Sequence, residues 1–330
     1  MKKVINNVEN VIPEMLEGVI EAYGDFYKKT ETTNGIVLKE KKDKVGVLIG
    51  GGSGHEPLFF GFVGNGLADG AAIGNVFAAP TPDTILEVTQ AIDAGKGVLY
   101  LYGNYSGDVL NFDMAAELAD FEGIATKTVA ISDDVASAPK DKKRERRGIA
   151  GDVMVFKVAG AAADSGLSLE EVALVAAKAN DHTGSIGVAL SPGTIPGETN
   201  ASFSIGEDEI EFGMGLHGEP GVKRSQMLPA NQLTSEMMDL LFADMDLAAN
   251  DEVCVLVNGL GSTTLLELFI VNKEVSKILK EKDIKVFDTH VNSYCTTQEM
   301  GGFSITLLKL DDELKKYYAA PAYSPFYVQK

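Results

Sequence analysis

Strand-like runs that break directly into glycine-rich turns set the tightest limit on how this chain can fold. Four such turns occur: "GGGSGH" at Gly50–His55, "GNYSGD" at Gly103–Asp108, "GMGLHGEPG" at Gly213–Gly221 and "GLGSTT" at Gly259–Thr264. The runs "KVGVLIG", "GVLYLYG" and "EVCVLVNG" are apolar on both faces, as in parallel sheets covered by helices. Stretches with helical apolar spacing lie between them: "VIPEMLEGVIEAYGDF", "DTILEVTQAIDAG" closed by Gly95, and "GDVLNFDMAAELADFEG". The alternation predicts an α/β fold whose first lobe is a mainly parallel, three-layer α/β/α sheet domain. The apolar stretch after "GGGSGH" reads as helical.

Beyond Ser132 the pattern changes. "SDDVASAPKDKKRERRGIAG" carries a basic cluster that reads as a solvated loop or helix end, with a partner-docking or anion contact as the alternative. Two alanine-rich helices follow, from about Asp152 to Asn180. "SIGVALSPG" then reads as a strand, and "SFSIGEDEIEFGMG" alternates around Gly-Glu-Asp like a hairpin. The hairpin points to a second α/β domain with a mixed sheet. We place the domains at 1–183 and 184–330.

Composition excludes several classes. With 29 basic and 48 acidic side chains the net charge is −19, which repels nucleic acid and anionic membrane alike. The start, "MKKVINNVENVIPEMLEG", has no sustained apolar segment, so neither signal peptide nor membrane anchor is expected and the cytoplasm is the default. Cys254, inside a strand-like run, reads as core, and with Cys295 gives no disulfide framework.

The turns supply the chemistry. "GGGSGH" fails the dinucleotide fingerprint because His55 stands where glycine is needed, and it lacks the Gly-Lys-Ser/Thr of a phosphate loop. It fails the hydrolase elbow too, since Ser53 is followed two residues on by His55. A backbone cradle with one hydroxyl and one imidazole remains, either a structural turn or a ligand loop. Asp108 reads either as the N-cap of the next helix or as a general base within reach of a substrate hydroxyl. Asp113 reads as solvated or capping. His217, in a glycine turn, is open between a structural role and a nucleophile that attacks a carbonyl carbon. His182 and His290 read as loop or buried histidines, and no His/Cys/Asp spacing typical of a metal site is present.

Taken together, "INNVENVIPEMLEG", "GGGSGHEP", "PTPD", "NYSGDVLNF", "RRGIAG", "SIGVALS", "EFGMGLHGEPG" and "GFSITLLKLDDEL" resemble the K subunit of dihydroxyacetone kinases over essentially the whole chain. The resemblance implies a two-lobed α/β homodimer. It implies that His217 holds the ketone of dihydroxyacetone as a hemiaminal. Gly52, Ser53, Gly54 and His55 would bind the substrate's polar groups, with His55 as acid/base, and Asp108 would deprotonate the hydroxyl that takes the phosphoryl group. No acidic "GDGDxG"-type nucleotide loop is present, so no cofactor is expected in this chain. Nucleotide and magnesium are expected on a separate L subunit, recharged by the phosphoenolpyruvate phosphotransferase relay.

Two positions depart from the family pattern. Many K subunits carry lysine where this chain has Gly103, and the loop after Ser132 differs from the "DDDVA…GRRG" form. Beside the kinase subunit, two other functions are therefore carried forward. One is a dihydroxyacetone-sensing coactivator that pairs with a transcription regulator without touching DNA. The other is a kinase subunit for a four-carbon ketose such as erythrulose, with Gly103 making room.

Overall fold

In the computed structural model, which describes residues 2–330, the chain forms two units from interleaved segments. The first takes residues up to Ile131, Val155–Lys178 and Lys316–Lys330, and the second takes Ser132–Met154 and Ala179–Lys315. The expected boundary at 183/184 falls five residues beyond one of the four crossings, at 178/179.

The first unit opens with helix α1 (Val11–Tyr23), whose Ile12, Leu16 and Val19 are buried. Strands β1 (Tyr27–Lys29), β2 (Gly35–Leu38), β3 (Gly46–Ser53), β4 (Gly70–Val76), β5 (Val98–Gly103) and β6 (Thr126–Ile131) form one sheet in the order β1-β2-β4-β3-β5-β6. β4, β3, β5 and β6 run parallel; β1 and β2 add an antiparallel edge. Helix α2 (Pro82–Ile92) starts at Thr81, whose hydroxyl accepts the Thr84 N–H, with proline in the first helical position. Its Ile85, Val88 and Ile92 pack with Phe112 and Ala115 of α3 (Ser106–Phe121) onto Leu48, Val98 and Tyr100. The alternate residues Val47, Ile49, Leu99 and Leu101 are fully buried too, so both faces of the sheet are covered. The alanine-rich helices are α4 (Asp152–Asp164) and α5 (Leu169–His182).

The second unit holds β7 (Thr183–Ser191), β8 (Glu209–Phe212), β9 (Lys223–Gln226), α6 (Ala230–Asp244), β10 (Glu252–Gly259), α7 (Leu265–Glu281), β11 (Lys285–Asn292), β12 (Gly301–Leu310) and the start of α8 (Asp312–Tyr318). Its sheet, ordered β11-β10-β12-β7-β8-β9, is mixed: only β10 and β11 pair in parallel. Met237, Leu241, Leu268 and Val275 of α6 and α7 close its core over Val255, Val257 and Ile305.

Three local expectations are corrected. The hairpin is β8 with β9, Phe212 opposite Lys223, and "SFSI" forms no strand, because β8 finds its partner across the long turn rather than across Gly-Glu-Asp. After His55 the chain makes turns and a single 3₁₀ turn at Phe60–Phe62 instead of a helix. Within the basic cluster, Lys140–Glu145 is a 3₁₀ segment at the surface, but Arg146 is 1% exposed. It makes a two-pronged pair with Asp244 (2.9 and 2.6 Å) and donates to the Ala138 carbonyl. A guanidinium that is always charged needs such partners once buried. Cys254 and Cys295 are buried free thiols, and burial pushes Cys295 up.

Candidate functional site

In the first unit the candidate residues collect at the carboxyl ends of parallel strands, the edge where open α/β sheets bind ligands. β3 ends at Ser53, flanked by β4 and β5, which end at Val76 and Gly103. Ser53 is buried and its hydroxyl donates to the Gly74 carbonyl (2.8 Å), tying β3 to β4. The Gly54 N–H meets both carboxylate oxygens of Glu56 at 3.0 and 3.1 Å, and burial nevertheless pushes the Glu56 carboxyl above its usual range. His55 is 4% exposed and stacks on Phe77, ring centroids 5.1 Å apart and 17° from parallel.

Asp108 is not the N-cap of α3. Tyr105 occupies that position and makes no side-chain cap bond, and Asp108 is the third residue of the first turn. A carboxylate there is favoured by the helix dipole. The turn is placed by Phe112, which stacks on Tyr102 of β5 at 4.3 Å. Burial pushes the Tyr102 phenol up, and the nearby charges of Asp113 and Asp108 add to it.

One short strip serves both loops. Phe77 stacks on His55; a Cβ on Gly52 would sit 2.8 Å from the Ala78 nitrogen; Gly107, beside Asp108, faces the Ala79 methyl; and the Pro80 carbonyl accepts from Asn111. Residues 77–80 thus link the GGGSGH turn to the start of α3.

The second unit carries His217 on the connection between β8 and β9. Nδ1 of His217 lies 3.1 Å from Oε1 of Glu219, and its backbone N–H donates to Oε2 at 2.9 Å. Burial raises the Glu219 carboxyl, but its bonds to His217 outweigh that and bring it to about 2. A Cβ on Gly215 would stand 2.1 Å from Oε2 of Glu219 and 2.4 Å from Arg147, so a side chain there would push both groups out of place. Arg147 pairs with Asp134 (3.0 and 2.8 Å) and donates to the Gly213 carbonyl (2.9 Å), while the Thr297 hydroxyl donates to the Leu216 carbonyl.

The structure brings Ser53, Gly54, His55 and Asp108 onto one edge of the first unit, and His217 belongs to the second. Sequence reasoning gave no role to Glu219, Arg147 or Phe77. Glu219, two residues after the histidine it binds, was the legible one. His182 ends α5 beside the Lys309 carbonyl, and His290 lies in β11 beside Asp288 and Tyr294. Among the described residues no group of three or more His, Cys, Asp or Glu side chains is placed to hold a metal ion, and no helix is long and apolar enough to cross a membrane.

Comparison with known proteins gives consistent matches. A Dak1 domain model matches residues 17–326. The chain is 43% identical to the PTS-dependent dihydroxyacetone kinase 2, dihydroxyacetone-binding subunit DhaK, of Listeria innocua, over 99% of both chains. It is 40% identical to the D-erythrulose kinase of Mycolicibacterium smegmatis over 99% of this chain and 56% of that protein. Among solved structures it superposes on the dihydroxyacetone kinase operon co-activator Dha-DhaQ with a TM-score of 0.89 and 32% identity, covering 94% of this chain and 97% of that one.

Proposed function

The chain belongs to the Dak1 domain family, and from that membership we propose that it is the dihydroxyacetone-binding subunit of a phosphoenolpyruvate-dependent dihydroxyacetone kinase. The observation that carries the reading is His217 held by Glu219 in a turn that presents an imidazole, together with relatives that are dihydroxyacetone-binding subunits. In this reading His217 adds to the ketone carbon as a hemiaminal, which selects carbonyl compounds over polyols such as glycerol. His55, with Gly52, Ser53 and Gly54, serves the substrate's polar groups and acts as acid/base. Asp108 accepts the proton of the hydroxyl that attacks phosphorus, and transfer proceeds in line from a nucleotide and magnesium on a separate L subunit. The subunit works as a homodimer in the cytoplasm.

The test mixes the chain with an L subunit, its phosphoryl donors and dihydroxyacetone, following adduct by intact-protein mass spectrometry and ketose phosphate by coupled assay. His217→Ala is expected to lose the adduct. Asp108→Asn is expected to keep it and to lower transfer by about a hundredfold or more. Adduct without transfer in the native chain would instead favour a ligand-sensing coactivator, the reading supported by the likeness to the co-activator structure. Gly103, which closes β5 without a side chain, supports a third reading: preference for a four-carbon ketose, as in the erythrulose kinase relative. Competition between dihydroxyacetone and erythrulose for adduct formation decides it.

A further inference from the structure

We propose that Glu219 is a positioning residue that fixes His217 as its Nδ1–H tautomer and so makes Nε2 the atom that attacks the ketone. The inference rests on the proposed ketose capture at His217 and adds how the imidazole is oriented for it.

The geometry comes first. An ionised carboxylate can only accept hydrogen bonds, so the 3.1 Å contact between Nδ1 and Oε1 requires the proton on Nδ1. A neutral imidazole protonated at Nδ1 has its lone pair at Nε2. The same carboxylate takes the His217 backbone N–H through its other oxygen, so the ring and the backbone that carries it are fixed by one group. Glu219 is held in turn. The Gly215 N–H donates to its carbonyl, Arg147 stands 4.0 Å from Oε2, and Arg147 is anchored by buried Asp134. Gly215 leaves the space that Oε2 occupies. With the Glu219 carboxyl held near 2, this acceptor stays ionised throughout the working range of an enzyme.

The chemistry uses this arrangement directly. The Nε2 lone pair forms the C–N bond, the carbonyl π pair moves to oxygen, and that oxygen takes a proton from solvent water. The ring then carries a positive charge, and its Nδ1 proton stays in the hydrogen bond to the Glu219 carboxylate, which balances that charge. Removing the carboxylate therefore weakens capture in two ways: the lone pair is no longer confined to Nε2, and the cationic adduct loses its counter-charge.

The experiment uses the full chain. ¹⁵N-histidine NMR of the ligand-free protein reads the tautomer, and titration with dihydroxyacetone under intact-protein mass spectrometry reads capture. Native protein is expected to show His217 protonated at Nδ1. Glu219→Ala is expected to lose that preference and to bind ketone about 10- to 100-fold more weakly, the range found for groups that orient metal-binding histidines. Glu219→Gln, which retains an accepting oxygen without the charge, should recover part of the loss. Gly215→Ala, which displaces the carboxylate without deleting it, should mimic Glu219→Ala. A native His217 protonated at Nε2, or a Glu219→Ala protein that captures ketone as tightly as the native one, overturns the proposal. A native protein that forms no adduct overturns ketose capture itself, and the NMR tautomer still decides the role of Glu219.

Discussion

Single residues in this chain work through the charges that hold them. Asp134, 1% exposed, is raised by burial against the opposing pull of Arg147 and titrates at about 6, against 3.8 for an ordinary aspartate. Between those values the folded protein holds a proton that the unfolded chain has released, so this group's contribution to stability falls as pH rises from about 4 to about 6. Thermal melts across that window should show the dependence, and Asp134→Asn should flatten it; an unchanged slope would mean Asp134 is ionised throughout. How legible residues were from sequence divides along the same line. Ser53, Gly54 and His55 fall at the end of a strand and Asp108 in the first turn of the helix that follows one, where the glycine-rich turns advertise them. Asp108 looked like a cap because aspartate is a preferred cap, yet α3 begins at Ser106, two residues earlier. Arg147 escaped notice inside a basic cluster because only folding distinguishes an arginine that grips Asp134 from a solvated one.

Elements were readable where burial is two-sided. β3, β5, β10 and β12 carry apolar side chains on both faces and stand out against polar surroundings. β4, "GAAIGNV", gave no signal, since glycine and alanine leave little periodicity although the strand is nearly all buried. The β8–β9 hairpin was misread because its turn is far longer than a tight reversal and carries function instead of a turn signature. Helix α7 offers a clean test of local coding: Thr264 and Glu267 form a reciprocal capping box on an exposed helix start. Thr264→Ala should cost about 1 kcal/mol, and differential scanning calorimetry should find Tm lowered by about 2 °C, with ketose capture unchanged.

At the scale of the whole molecule, the two sheet types were legible and the chain path was not. Contacts that complete the first unit are made far along the sequence. The Lys157 ammonium donates to the Tyr317 carbonyl at 2.9 Å, the Ser324 hydroxyl to the Gly61 carbonyl, and Tyr323 exchanges backbone bonds with Asn65. Tyr318 and Tyr327 are buried in the same unit. A chain ending at 183 should therefore fail to fold even though it contains the whole first sheet. Deleting 316–330 should expose the segment around Gly61 and Asn65 to proteolysis, and circular dichroism with limited digestion checks both. A stable, protease-resistant fragment 1–183 would show that the tail is dispensable.

The same arrangement bears on how the protein is made. The segment up to Ile131 leaves the ribosome long before Lys316–Lys330 exists to close it. At elongation speeds of about 5–20 residues per second that interval lasts on the order of ten seconds or more. For that time the nascent sheet with its apolar strands stands incomplete, within reach of chaperones and of other nascent copies. Slowing translation past residue 131 should therefore lower the yield of active subunit more than it lowers the amount synthesised.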